Sequence, residues 1–104
     1  MAKLDNGPPR GTRDLAPDAV ARRDTVISVI ASCYERFGFR RIETPAIEDL
    51  ERLSSGEGGE NEKLIYKVLR RGLTDPLEPG TSLSSLTDLG LRYDLTVPLA
   101  RFYA

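Results

Sequence analysis

The chain has 104 residues, and its 15 basic and 16 acidic side chains give a formal net charge of −1. This balance excludes the strong basic excess of a self-sufficient nucleic-acid-binding domain. One cysteine and no histidine exclude an internal disulfide and a zinc site of the usual Cys/His type, and a single thiol fits a reducing, cytoplasmic compartment. Because no run of about 18 apolar residues could span a membrane, we expect one small soluble domain.

The first predicted element is a long helix at residues 17–37, preceded by an extended leader at residues 1–13. Asp14 could cap this helix, Pro17 suits its first turn, and Gly38 suits a left-handed stop after it. We expect Cys33 to be a small buried hydrophobe of the helix, since no histidine could activate it as a nucleophile. Apolar side chains recur along the segment at helical spacing, at Val20, Ile27, Ile30, Cys33, Tyr34 and Phe37.

The middle of the chain predicts short elements separated by loops. Residues 40–44 are compatible with a strand, which Pro45 would end or confine to a sheet edge. Residues 46–53 have helical spacing. Residues 54–60 have the composition of a loop, and the glycines there lack the Lys-Ser/Thr ending of a phosphate-binding loop.

The last third predicts two strands and a helix. Residues 64–69 and 89–93 are rich in strand-forming residues, and residues 71–88 between them are polar enough for a long loop or hairpin connection. Thr96 followed by Pro98 predicts a helix start. The chain ends inside this apolar segment, so we expect it to be part of something longer.

Asp94 and Thr96 are the candidate functional residues, because they lie between a predicted strand and a predicted helix start. A carboxylate and a hydroxyl at this spacing could bind an ammonium group. The alternative is that both residues only cap the helix, and the residue pattern by itself favours that alternative because caps are commoner than binding sites.

Three stretches of the chain carry a family resemblance. Residues 9–17 (PRGTRDLAP) resemble the opening of the histidyl-tRNA synthetases. Residues 37–45 (FGFRRIETP), with Glu48, are similar to motif 1 of the class II aminoacyl-tRNA synthetases. Residues 91–101 (LRYDLTVPLAR) are similar to the histidine-contacting segment of the same family, and residues 63–66 (KLIY) lie at the expected place between them. The matches follow the family's order over nearly the whole chain, apart from residues 73–87.

The resemblance implies an α+β fold, the antiparallel sheet flanked by helices of the class II catalytic core, truncated here. Residues 1–104 would be the N-terminal part of that domain, with the leader at 1–13, the motif 1 region at 14–50 and the histidine-contacting segment at 91–101. The remaining catalytic domain and the anticodon-binding domain would be absent. The resemblance also implies a cytoplasmic homodimer, with the motif 1 helix near residues 17–37 at the subunit interface.

The implied activity is that of a histidine–tRNA ligase. Histidine would react with ATP, as its Mg²⁺ complex, to give histidyl-adenylate, and the histidyl group would then pass to tRNA-His. By the resemblance, Asp94 meets the α-ammonium group of histidine, with Thr96 beside it. No catalytic or metal-binding residue is assigned to this chain, and the ATP-binding residues are expected beyond Ala104, so the fragment alone is expected to be inactive. Three arginines in the matching stretches are assigned ion pairs rather than ligand roles: Arg10, Arg13 and Arg92.

One departure from the family pattern bears on the branch. Many bacterial members carry Pro-Glu-Gly-Thr where this chain has Tyr93-Asp94-Leu95-Thr96, a version that resembles the eukaryotic-type branch. Aspartate keeps the charge of glutamate but is one methylene shorter. Two alternatives to the ligase stay open. One is the non-catalytic regulatory paralogue of ATP phosphoribosyltransferase, against which this segment weighs, and the other is a free-standing dimerisation module.

Overall fold

A computed structural model describes residues 5–54 and 61–104, and for residues 61 and 62 it describes the backbone alone. Two compact units make up the chain, Met1–Ile42 and Glu43–Ala104. Residues 1–4, at the start of the predicted leader, and residues 55–60, which make up all but the first residue of the loop predicted at 54–60, lie outside the described residues.

The first unit is built on helix α1, Pro17–Glu35. Pro17 occupies the first turn, where its missing N–H is not needed, and Asp18 there complements the positive end of the helix. The predicted cap at Asp14 is wrong, because Ala16 is the N-cap residue and no side chain caps it. The helix ends two residues earlier than predicted, before Gly38, which has a φ of +85° and donates its N–H to the Glu35 carbonyl at 3.0 Å.

The apolar stripe of α1 is exposed. No residue of the helix is buried, and Cys33 is exposed as well. The expected burial of Cys33 is therefore wrong, because the described residues of the first unit leave this side chain open to solvent. The exposed large side chains along the helix and just after it are Val26, Ile27, Val29, Ile30, Tyr34, Phe37 and Phe39.

The second unit contains a three-stranded antiparallel sheet in the order β1-β3-β2. The strands are β1 (Ile47–Asp49), β2 (Lys67–Leu69) and β3 (Thr87–Leu91). Glu48 pairs with Gly90, and a register irregularity follows Val68 in the β2–β3 pairing. An antiparallel sheet with helices agrees with the predicted α+β class.

Three short helices and a 3₁₀ turn complete the second unit. They are α2 (Leu50–Ser54), the 3₁₀ turn Asn61–Leu64, α3 (Leu83–Leu86) and α4 (Thr96–Tyr103). The helix predicted at Thr96 is confirmed. None of the described helices is long and apolar enough to cross a membrane.

The predicted boundaries in the middle of the chain are partly wrong. Residues 40–44 form no strand, and the first half of the helix predicted at 46–53 is strand β1. The pairing of β1 with β3 prevails there over the helical spacing of the apolar residues. The strand predicted at 64–69 forms only at 67–69. The strand predicted at 89–93 lies two residues earlier, at 87–91. Helix α3 interrupts the loop predicted at 71–88.

The small core of the second unit lies against the face of the sheet that carries Gly90. Leu53 is 2% exposed and Ile65 is 8% exposed, and Pro98 of α4 is fully buried. A Cβ atom at Gly90 would lie 2.9 Å from Ile65 Cγ2 and 3.0 Å from Leu53 Cδ1. Only glycine fits at this close approach, so the packing of two core side chains depends on that position.

Candidate functional site

The two predicted site residues meet in one turn between β3 and α4. The backbone N–H of Thr96 donates a hydrogen bond to Asp94 Oδ1 at 2.9 Å. The N-cap residue, Leu95, has no side-chain cap of its own, so the carboxylate of Asp94 satisfies a free amide at the start of α4. The sequence predicted Thr96 as the cap of this helix, and that detail is wrong, because Thr96 is the first helical residue and Leu95 is the N-cap.

This hydrogen bond supports the interpretation that Asp94 caps the helix. It also leaves Asp94 able to bind a ligand. Asp94 and Thr96 are both exposed. A carboxylate has about four lone-pair positions on two oxygens, and the Thr96 amide uses one of them at Oδ1. Asp94 can therefore cap α4 and accept hydrogen bonds from a cationic ligand with the same side chain.

Arg92 ties the start of this turn to the chain segment before β1. Its Nη1 donates to the Thr44 carbonyl at 2.9 Å and to Thr44 Oγ1 at 3.0 Å, and it lies 3.3 Å from the Pro45 carbonyl. The backbone N–H of Arg92 donates to the Ala46 carbonyl at 2.9 Å. The guanidinium thus donates hydrogen bonds to uncharged oxygens. The structure shows these contacts in place of the ion pair that was expected for Arg92.

A second arginine ties α4 to the sheet. Arg101 Nε lies 2.6 Å from Glu48 Oε1, with the Glu48 side chain 6% exposed and that of Arg101 31% exposed. The N–H of this nitrogen does not point at the oxygen, so the contact is an ion pair without a hydrogen bond. The short separation still makes the attraction strong, because Coulomb attraction depends on distance rather than on the angle. A carboxylate as buried as Glu48 needs such a cation.

Sequence reasoning missed both arginine contacts. Arg92 was assigned an ion pair, and Glu48 entered only as part of the motif 1 match. Alternate residues of a strand point to opposite faces, so the sequence favours burial of the apolar Ile47 and exposure of Glu48. The structure shows the reverse, with Ile47 45% exposed and Glu48 buried. Among the described residues, no group of three acidic or cysteine side chains could hold a metal ion.

Comparisons with known proteins identify the family of the chain that contains this turn. The family model described as Histidyl-tRNA synthetase matches residues 11–104. A protein named histidine–tRNA ligase from Leifsonia xyli subsp. xyli is 53% identical over 102 residues, which cover 93% of this chain and 23% of the relative. A probable histidine–tRNA ligase from Tropheryma whipplei (strain Twist) is 50% identical over 96 residues, which cover 92% of this chain and 22% of the relative. A histidine–tRNA ligase from Gloeobacter violaceus is 47% identical over 91 residues, which cover 88% of this chain and 19% of the relative.

The antiparallel sheet with helices and the extent of these matches define part of an aminoacyl-tRNA synthetase, and the chain belongs to the histidyl-tRNA synthetase family. It spans about a fifth of the length of the curated relatives it matches. These relatives are bacterial, so they do not confirm the eukaryotic-type branch suggested by residues 93–96.

Proposed function

We propose that the whole protein to which this chain belongs is a histidine–tRNA ligase, which activates histidine with ATP and transfers it to tRNA-His. The observation that carries the proposal is the high identity, over about nine-tenths of this chain, to proteins named histidine–tRNA ligase. The chain covers only part of those proteins, so the activity belongs to the whole molecule.

The proposed role of this chain is to bind the amino acid. Asp94 accepts hydrogen bonds from the α-ammonium group of histidine, and the Thr96 hydroxyl lies beside that group. The positive end of α4 at Thr96 repels an ammonium group, so the attraction has to come from the carboxylate of Asp94. A charge-assisted contact of this type is about twice as strong as a neutral hydrogen bond, which suits recognition of a small zwitterion.

The proposal places ATP and its Mg²⁺ on parts of the protein outside this chain. When bound, Mg²⁺ offsets negative charge on the phosphates during attack by the histidine carboxylate. The described residues include no cluster of acidic side chains suited to the ion. What this chain supplies is orientation, since Asp94 holds the ammonium end and thereby aims the carboxylate end of the substrate.

We also propose that α1 pairs with a second copy of the chain in a homodimer. Its apolar stripe is the supporting observation, since Val29 is 66% exposed and Ile30 is 51% exposed. Contiguous apolar surface of this kind marks interaction sites in soluble proteins, and most oligomers are two-fold symmetric.

The finer assignments rest on the sequence. The Tyr93-Asp94-Leu95-Thr96 segment supports the eukaryotic-type branch of the family. The single cysteine, exposed on α1, supports a reducing cytoplasmic compartment.

The experiment that tests the main proposal is histidine-dependent exchange of pyrophosphate into ATP by the protein of full native length. Exchange that requires histidine, and that residues 1–104 alone do not catalyse, is the expected result. A folded full-length protein without any histidine-dependent exchange would overturn the ligase proposal and favour the regulatory paralogue instead.

A further inference from the structure

The turn that carries Asp94 is held at its two ends and not by burial. Residues 93–95 belong neither to β3 nor to α4, and Asp94 itself is exposed. Packing against a core therefore does not set the position of its carboxylate. The constraints come from the residues that flank the turn.

Arg92 is the constraint on the side of the sheet. It follows the last residue of β3, and both its backbone and its guanidinium are bonded to the segment at residues 44–46. Arg101 is the corresponding constraint within α4, through its ion pair with Glu48 of β1. Since β1 follows directly on residues 44–46, the same stretch of chain holds both ends.

The chemistry at Arg92 explains why an arginine stands there. One nitrogen, Nη1, meets three oxygens of Thr44 and Pro45. The two N–H groups of Nη1 lie in the rigid plane of the guanidinium, so the direction of the side chain is set together with its position. A lysine has a compact ammonium on a flexible stem and would hold the same oxygens less firmly.

We propose that Arg92 is a positioning residue for histidine: it does not touch the amino acid, but through Thr44 and Pro45 it sets where Asp94 meets the ammonium group. This inference rests on the proposed ligand role of Asp94. Loss of the tie would let the turn move relative to the rest of the site. A displacement of about 1 Å at a positioned group can cost up to about a hundredfold in rate, so even a partial displacement is measurable.

The test is Arg92→Met in the protein of full native length, with kinetics of pyrophosphate exchange. We expect the KM for histidine to rise about tenfold, while the KM for ATP changes less than about twofold, because the turn meets only the amino acid. A residue important only for folding would give a different result, because a smaller folded fraction lowers the apparent kcat and leaves the KM for histidine unchanged. Arg71→Met, at an exposed arginine of the same unit, is the control for loss of an arginine and should leave both KM values at their parental level.

Two further variants tie the effect to the observed hydrogen bonds. Arg92→Lys keeps the charge without the planar fork, and its KM for histidine should lie between the parental and the Arg92→Met values. Thr44→Val removes one acceptor, Oγ1, and should raise the KM for histidine less than Arg92→Met does. Equal KM values for parent, Arg92→Lys and Arg92→Met would overturn the inference.

The combination with Asp94→Asn separates this inference from the function on which it rests. If Arg92 acts through Asp94, Arg92→Met should add little to the KM for histidine in an Asp94→Asn background. A raised KM in Asp94→Asn together with a normal KM in Arg92→Met would overturn the role of Arg92 and leave the Asp94 site standing. A normal KM in Asp94→Asn would overturn the Asp94 site and, with it, the positioning role.

Discussion

Glu48 of β1 and Arg101 of α4 form an ion pair of 2.6 Å in which the carboxylate is almost wholly buried. Its second oxygen, Oε2, has no hydrogen-bond donor among the described residues. Removal of the cation would therefore leave a buried charge without compensation, which costs more than the pair itself contributes. The pair makes the attachment of α4 to the sheet depend on both partners being present.

The first prediction follows from that dependence. Arg101→Leu should lower the free energy of unfolding by about 3 kcal/mol, at the lower end of the range for buried pairs because Arg101 is partly exposed. The double variant Glu48→Leu/Arg101→Leu should be more stable than Arg101→Leu, since no charge is then left unpaired. Urea denaturation of the three proteins measures both differences. Additive losses in the double variant would contradict the prediction.

The second prediction concerns the close packing at Gly90. Gly90→Ala should destabilise the protein by about 2 kcal/mol, because the new methyl group would lie 2.9 Å from Ile65 Cγ2 and 3.0 Å from Leu53 Cδ1. The matched control is Gly7→Ala, whose added Cβ would have Asp5 Oδ1 as its nearest neighbour, at an ordinary contact distance of 3.5 Å. Thermal melting of both variants checks the difference. A melting temperature for Gly90→Ala equal to that of Gly7→Ala would show that the core can open for a methyl group.

The third prediction separates ligand binding from capping at Asp94. Asp94→Asn keeps an oxygen for the Thr96 amide, and asparagine caps helices about as well as aspartate, so the melting temperature should change little. The KM for histidine should rise about ten- to a hundredfold, because a charge-assisted contact of about 1.5–3 kcal/mol is lost. The KM for ATP should stay near its parental value. Steady-state exchange kinetics and thermal melting on the same protein give all three quantities.

Two companion variants complete that test. Asp94→Ala removes the capping oxygen as well and should also lower stability by about 1 kcal/mol. Thr96→Val should raise the KM for histidine less than Asp94→Asn, since only a neutral hydroxyl is lost. If Asp94 serves only as a cap, Asp94→Ala will melt earlier and both aspartate variants will keep the parental KM for histidine.

The fourth prediction concerns the apolar stripe of α1. Ile30→Glu should weaken self-association of the protein by at least about tenfold, because a charge would be buried between the two copies. Ser28→Glu is the matched control, since Ser28 lies two positions earlier on the same helix, about 200° around its axis from Ile30. Sedimentation velocity at several concentrations measures the dimer dissociation constant. A parental protein that is monomeric at high micromolar concentration would refute the homodimer.

The sequence alone determined the elements that depend on local chemistry. Pro17 and Gly38 bracket α1 because each acts on the backbone of its own turn, and Thr96 followed by Pro98 begins α4 for the same reason. The class of fold and the family also follow from the sequence, since the motifs occur in the family's order along nearly the whole chain. Asp94 and Thr96 were found in this way, although their part in binding histidine stays a prediction.

Only the tertiary structure decided the contacts between distant segments. The helical spacing of residues 46–53 predicted a helix throughout, but pairing with β3 makes Ile47–Asp49 a strand. The burial of Glu48 and the anchoring of Arg92 depend on partners far away along the chain, so no local pattern indicates them. Cys33 shows the opposite case: its place on an apolar helical stripe predicted burial, yet burial requires a surface packed against that stripe, and the structure leaves the residue exposed. Backbone preferences act over a few residues and are encoded locally, whereas burial and ion pairing depend on which segments the fold brings together.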